Sequence, residues 1–322
     1  MKEIGFGLIG TGRHGARYAN HLLQGDIPGG RLAAIARRDH ALGRKQAEEW
    51  GISYHEDARS LAADPAVDAV LVVSLSPFHP EGVEAAAAAG KPVLVEKPLA
   101  DDLEGCERIA AAVRSAGVPL MVAQTSRYEG VIVGLLEALP SIAPVREALF
   151  DLHSEDRTHL GGVFQERLND RGALLDSGVH YFDLLPRIIG PIGEVWCERR
   201  FVRGTAIDDG YTALFRSSGG ATAAVHTARW GGSREERIRV AGDGGLLIAS
   251  RTPHRLQRIV GRTRENLPFP EVPGTLVPTL DDFLRVCRGE TPPPIPLDDG
   301  RAAVAVVEAC RRSEGRWVPL TD

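Results

Sequence analysis

The chain has 322 residues, 43% of them hydrophobic and 25% charged, with a formal net charge of −5 at pH 7. That length is long for one hydrophobic core and suits two domains, and the composition is that of an ordinary globular protein. The acidic balance argues against a general nucleic-acid or anionic-membrane binder, no apolar run is long enough to span a bilayer, and Met1-Lys2-Glu3 leads straight into a strand pattern, so a cytoplasmic protein without a leader is expected.

Ile4-Gly5-Phe6-Gly7-Leu8-Ile9 is apolar and too short for a helix, and it runs into Gly10-Thr11-Gly12-Arg13-His14-Gly15. A helical pattern at Ala16, Ala19, Leu22 and Leu23 follows, so strand, tight turn and helix surround a G-x-G-x-x-G cradle for phosphate. Gly10 permits the turn, Gly12 lets the backbone approach a pyrophosphate, and Gly15 lets the helix pack closely on the strand. The helix N-terminus then faces the anion with its positive dipole.

After a second strand at 31–36, Arg37 and Arg38 stand where an acidic residue would bind the ribose 2′-hydroxyl of NAD. Guanidinium groups cannot accept from a hydroxyl but pair well with a 2′-phosphate, so NADP is the expected cofactor. NAD is the alternative, because Asp39 could reach back to the ribose.

Helix, strand, helix and strand follow at 41–50, 52–54, 57–62 and 69–73. Continuous apolar runs such as 69–73 are the pattern of strands buried on both faces of a parallel, doubly wound sheet. Ser74-Leu-Ser76-Pro77-Phe78-His79 leaves the carboxyl end of that strand, placing Ser76 and His79 on the ligand side, with His79 either touching the cofactor or capping the next helix. The strand at 92–95 delivers Glu96-Lys97-Pro98 to the same edge, and Pro98 keeps Lys97 extended instead of letting it enter the helix at 102–115.

The dinucleotide-binding domain is expected to end with the strand at 119–123, giving domains 1–123 and 124–322. Gln124-Thr-Ser-Arg127-Tyr128 begins the crossing into the second. From Val145 the period changes to two, with Ala148, Phe150 and Leu152 alternating with Leu149, Asp151 and His153. Similar runs at 194–202, 211–216, 222–228 and 238–240, separated by glycine-rich turns, predict an antiparallel sheet. One face is expected to pack on a helix at 176–189 and the other to be covered by a second subunit, in a homodimer or homotetramer. Helices at 281–288 and 299–313 close the chain around a proline-rich loop. The four cysteines stand far apart and are expected to be reduced and mostly buried, and the ten histidines lack metal-ligand spacing, so no metal is expected.

Asp176 and His180 are four apart on the predicted helix and would share a face. Facing Lys97, they would combine a group titrating near neutrality, an anion to orient it or hold a hydroxyl, and a cation for a developing alkoxide. That set suits alcohol oxidation. In isolation such a pair is more often a surface or partly buried Asp–His contact; the glycine cradle and Lys97 tip the reading toward chemistry.

Taken together, the glycine loop, Ser76-Pro77-Phe78-His79, Gly90-Lys91-Pro92-Val-Leu-Val-Glu96-Lys97-Pro98-Leu99 and Gly172-Ala-Leu-Leu-Asp176-Ser-Gly-Val-His180 resemble the Gfo/Idh/MocA family of nicotinamide-dependent oxidoreductases. The resemblance covers nearly the whole chain. It implies an α/β protein, with an N-terminal Rossmann doubly wound parallel sheet and a C-terminal α+β domain built on a mostly antiparallel open sheet. It implies Lys97 and His180 as the catalytic pair, with Asp176 beside them, and Arg127 lining the substrate cleft with these three. Cofactor contacts are expected from Gly10, Thr11, Gly12, Arg13, His14, Gly15, Arg37, Arg38, Ser76, Pro77, His79, Glu96, Lys97 and Gln124. In the family the Lys-Pro peptide is often cis. The implied reaction moves a hydride between the nicotinamide and a carbinol carbon of a sugar, polyol or sugar acid, while His180 takes the hydroxyl proton. Glycoside cleavage or elimination through a transient redox step, on tightly bound cofactor, is the rival. A non-catalytic cofactor sensor is weaker, because it would lack the lysine or the histidine. Three departures stand out: Arg37 in place of an acid, Asn169-Asp170-Arg171 where relatives often carry glycines, and Phe78 where a small or amide side chain is frequent.

Overall fold

The computed structural model describes residues 3–155, 171–202, 204, 206–231 and 234–320. It divides into two compact units, Met1–Thr125 with Gly274–Arg301 and Ser126–Pro273 with Ala302–Asp322.

The first unit is a six-stranded parallel sheet of β1 (Ile4–Ile9), β2 (Gly30–Ala36), β3 (Ser53–His55), β4 (Ala69–Val72), β5 (Val93–Glu96) and β6 (Leu120–Ala123), in the order β3-β2-β1-β4-β5-β6. The order reverses between β1 and β4, the place where such sheets open a crevice beyond their carboxyl ends. Between the strands run α1 (Gly15–Leu23), α2 (His40–Trp50), α3 (Ala58–Ala63), α4 (His79–Ala88) and α5 (Leu103–Ala116). Three of these helices start where an aspartate stops the preceding chain. Asp39, Asp57 and Asp102 each accept a backbone N–H from three residues on, at 3.0, 2.8 and 2.8 Å.

The expected single boundary at 123/124 gives way to a discontinuous unit, because residues 274–301 return to the parallel sheet. Their helix, Leu276–Cys287, sets Phe283 with its ring centroid 5.9 Å from that of Phe6 in β1. Further on, Val122 donates its N–H to Ile295 at 2.9 Å, and Pro296 bridges to Met121. An amphipathic helix pattern does not say which sheet it will cover, so the sequence could not announce this return.

The second unit contains a nine-stranded sheet. Its strands are β7 (Val145–Glu155), β8 (Ile192–Arg200), β9 (Gly210–Ser217), β10 (Thr222–Gly231), β11 (Glu235–Gly242), β12 (Gly245–Arg251), β13 (His254–Val260), β14 (Thr263–Asn266) and β15 (Val318–Pro319), in the order β14-β13-β12-β11-β7-β10-β9-β8-β15. All neighbours are antiparallel except β7 and β10, which run parallel. The alternation read in the sequence holds: Ala148, Phe150 and Leu152 are buried, as are Val225, Ile238 and Val240 on the flanking strands. Also in this unit are α6 (Gly130–Ala138), α7 (Gly172–Asp176) and α8 (Gly178–Ile189). In the core, Phe182 of α8 lies 5.7 Å from Phe215 and 5.8 Å from Tyr211, centroid to centroid.

The helix predicted at 176–189 starts at Gly178, and Asp176 instead ends α7; the break falls at Ser177, whose Oγ donates back to the Ala173 carbonyl at 2.8 Å. Such back-bonding bends helices. The four cysteines are free thiols, three buried and Cys287 half-buried. No described helix is long and apolar enough to cross a membrane.

Candidate functional site

In the first unit the glycine loop leaves β1 and turns at Gly10, whose φ of 93° suits only glycine. A Cβ on Gly10 would lie 2.7 Å from the Ser74 backbone, and one on Gly15 would lie 1.9 Å from the Gly10 carbonyl oxygen. At Gly12 a Cβ would meet nothing within 4 Å, so that side of the loop is open. Gly12, Arg13 and His14 are exposed, and no side chain caps the start of α1. An open loop with uncapped helix N–H groups behind it fits a pyrophosphate.

Thr11 is buried and donates its hydroxyl to Gln46 of α2 at 2.6 Å. Arg37 turns inward to the same pair, its Nη1 donating to the Thr11 carbonyl at 2.8 Å and to Gln46 at 3.1 Å. Arg38 is exposed, with its guanidinium 4.0 Å from the centroid of the Phe78 ring. Asp39 accepts from Leu42 as the cap of α2.

Behind the loop lies Glu96, buried at the end of β5. Its Oε1 accepts from Tyr18 at 2.6 Å and faces His14 Nε2 at 2.8 Å, while Oε2 accepts the backbone N–H of Lys97 at 3.0 Å. Burial raises the Glu96 pKa, but the hydrogen bonds of His14 and Tyr18 and the Lys97 charge outweigh it and leave the carboxyl below its ordinary range. The Tyr18 hydroxyl is driven well up by burial and by that carboxylate.

The Lys97–Pro98 peptide is cis, as the resemblance implies, and Lys97 is half-buried. Beneath this turn His79 is 1% exposed: Nδ1 lies 2.9 Å from the Pro98 carbonyl and Nε2 lies 2.9 Å from the Ser74 carbonyl. Its ring therefore braces two loops of the sheet edge from below, in place of the expected cofactor contact or helix cap. Burial pushes its pKa down against the pull of those carbonyls. Ser76, also buried, donates to Asp101, and Pro77 beside it is exposed. Gln124 is buried just past β6, its N–H donated to Val122 at 2.9 Å.

In the second unit Asp176 is exposed at the end of α7, and His180 is half-buried in the first turn of α8. The break at Ser177 means that one continuous helix face does not carry both. Asp208 fixes the start of α7, its backbone oxygen accepting from Ala173 at 2.9 Å and Oδ2 from Leu174 at 2.7 Å, and burial raises its pKa. Asn169 and Asp170 lie outside the described residues. Arg127 grips Asp183 of α8 with two parallel hydrogen bonds, Nε to Oδ2 at 2.6 Å and Nη2 to Oδ1. Asp183, buried and three residues past His180, was not singled out in the sequence, since nothing along the chain pairs it with an arginine 56 positions earlier. Arg251 likewise joins Glu129 and Glu236 at 2.5 Å each.

Residues 4–124 match an oxidoreductase family described by its NAD-binding Rossmann fold, and residues 148–248 match the GFO/IDH/MocA C-terminal domain. Inositol 2-dehydrogenase 2 of Saccharopolyspora erythraea is 33% identical over 189 residues, covering 58% of this chain and 54% of that one. Myo-inositol 2-dehydrogenase of Thermotoga maritima is 26% identical, with 98% of each chain covered. The alignment with the first of these spans about half of that relative's length. Among solved structures, levoglucosan dehydrogenase in complex with NADH has the same fold, with a TM-score of 0.89 at 20% identity over 100% of both chains. An aldose-aldose oxidoreductase from Caulobacter crescentus gives 0.86 at 23% identity, covering 99% of this chain and 100% of that one. With a glycine-loop parallel sheet and a nine-stranded second sheet each matched in turn, the chain belongs to the GFO/IDH/MocA family of oxidoreductases.

Proposed function

We propose that the chain is a nicotinamide-dependent dehydrogenase or reductase acting on a CH–OH carbon of a sugar, polyol or sugar acid, with NADP preferred over NAD. The observation that carries this reading is Glu96: one buried carboxylate holds the glycine loop through His14, the helix behind it through Tyr18, and the backbone of Lys97. Phosphate cradle and ammonium are thereby held at one sheet edge. The names of the inositol and levoglucosan dehydrogenases support the substrate class.

Gly10 to Gly15 would hold the pyrophosphate, and Arg38 would take the 2′-phosphate while stacked on Phe78, with Asp39 occupied as a helix cap. Arg37 supports the loop from behind. When bound, the nicotinamide supplies or accepts the hydride. His180 takes the hydroxyl proton, Asp176 holds a neighbouring hydroxyl, and the Lys97 ammonium stabilises the alkoxide oxygen. Arg127, engaged with Asp183, steadies α8 behind His180.

The test is a screen of the purified chain for reduced-nicotinamide absorbance, with each cofactor, against inositols, aldoses and anhydrosugars. Turnover with at least one polyol, faster with NADP+ than with NAD+, is expected. Sugar release from glycosides without net cofactor reduction would overturn the dehydrogenase reading in favour of glycoside cleavage. We also infer self-association through the sheet face opposite α8, where Leu214 is exposed between Trp196 and Ala224 of the neighbouring strands. A monomer in sedimentation velocity would overturn that.

A further inference from the structure

We propose that Asp151, His153 and His226 form a binding site for a divalent transition-metal ion of the Zn2+ class on the polar face of the nine-stranded sheet. The argument is independent of the dehydrogenase reading. Asp151 and His153 are two apart on β7, so both stand on the same side, opposite the buried Phe150 and Leu152. Strand β10 runs parallel to β7 with His226 directly opposite Asp151, and its flanking residues Val225 and Thr227 are buried. The three side chains thus rise together from two adjacent strands whose other faces are fixed in the core. Sites on such elements hold their ligands more tightly in place than sites on loops.

One ligand atom from each of the three lies within 4.8 Å of the others. Asp151 Oδ1 and His153 Nε2 are 3.4 Å apart, and the rings of His153 and His226 have centroids 5.6 Å apart. A separation of 3.4 Å is long for a hydrogen bond. It matches the ~3.3 Å between ligands at the corners of a tetrahedron with metal bonds of ~2.0–2.1 Å. The remaining atoms need only small side-chain rotations to close on an ion. Thr212 of β9, opposite His226, places Oγ1 3.0 Å from His226 Nδ1 and so holds the ring's orientation and leaves Nε2 for the ion, as outer partners of metal-binding histidines do.

Two imidazoles and a carboxylate favour zinc, cobalt, nickel or copper over magnesium and calcium, which demand oxygen ligands. Asp151 and His153 are open to solvent in the single chain, so an ion can enter before two copies meet on this face, and a coordination position stays free. Arg237, paired with Asp151 on β11, is engaged by Glu235 at 2.6 Å, and Arg200 by Glu198 at 3.6 Å. The absence of a metal expected from the sequence rested on spacing along the chain. Strand pairing brings His226 to a D-x-H pair that lies 73 residues away, a juxtaposition no linear spacing shows.

The full chain, stripped with chelator and titrated with ZnCl2 by calorimetry, is expected to take up one ion per chain with micromolar or tighter affinity. Co2+ should give visible d–d absorption, and Mg2+ should not compete. His226→Ala and Asp151→Asn are expected to weaken zinc binding by at least about a hundredfold, and Thr212→Val, which removes no ligand, by about tenfold to a hundredfold. His40→Ala, on α2 in the other unit, should bind as the parent does. Unchanged circular dichroism and melting of each variant separate ligand loss from unfolding. Millimolar affinity in the parent chain, or undiminished binding in His226→Ala, would overturn the site.

Discussion

Tyr18 on α1 and Glu96 at the end of β5 meet through a 2.6 Å hydrogen bond, with both side chains closed off from water. Removing either end has a different cost. Tyr18→Phe takes away one donor and leaves Glu96 with His14 and the Lys97 N–H, an expected loss of about 1 kcal/mol. Glu96→Ala strands the buried Tyr18 hydroxyl and should cost about 1–3 kcal/mol or more. Chemical denaturation of the two variants beside the parent checks the ranking; equal losses would contradict it.

The same carboxylate sets an acid limb of stability. Its folded pKa lies below the unfolded value of about 4.3, so its contribution is present above that pH and is lost as pH falls through the folded value. Asp57 and Asp64, lowered chiefly by backbone N–H groups of Ser60 and Ala66, act in the same window. His79 adds an earlier step: its folded pKa is depressed by burial, so the unfolded chain takes up a proton first as pH drops below about 6.5 and stability declines from there. Denaturation midpoints should fall in two stages on acidification, and His79→Gln should remove the first.

Lys97→Ala and His180→Ala should each lower turnover by about a hundredfold or more, the range for acid–base and charge-stabilising groups. Cofactor affinity of His180→Ala, measured by fluorescence titration, should stay near that of the parent. Undiminished turnover in either would remove that residue from the proposed chemistry.

Arg37 and Arg38 are adjacent but should separate experimentally. Arg38→Ala is expected to weaken NADPH binding far more than NADH, by about tenfold or more for loss of a charge-assisted contact. Arg37→Ala, which unties the Thr11 carbonyl and Gln46, should weaken both cofactors alike. A selective effect at Arg37 and none at Arg38 would reverse the assignment.

Asp183→Ala leaves the Arg127 guanidinium buried without its carboxylate and should cost about 3–5 kcal/mol. Asp183→Asn keeps one acceptor and should cost less. Thermal melts measure both, and a neutral Asp183→Ala would show that the pair does not hold α8.

What could be read from the sequence tracks what is local. The glycine loop, the buried runs of β1 and β4, the alternation in β7 and the Lys97–Pro98 turn depend on neighbours within a few residues, and each was visible. The break at Ser177 was not, because a helical period continues through it. His79 was visible as a residue but not in its role, since bracing the Pro98 and Ser74 carbonyls needs the sheet to be assembled. Asp183 and His226 gain their meaning from partners 56 and about 75 positions away. Packing of α8 against the turn at Arg127 supplies the first and strand register the second, and no periodicity encodes either.

The discontinuous first unit also governs the order in which the molecule can be completed. On a ribosome the six parallel strands emerge early, yet Phe283, which closes over Phe6, follows only after eight of the nine strands of the second sheet, β7 to β14. Until then the nascent parallel sheet carries an uncovered aromatic surface, and a polypeptide cut after residue 273 would keep that bare patch permanently.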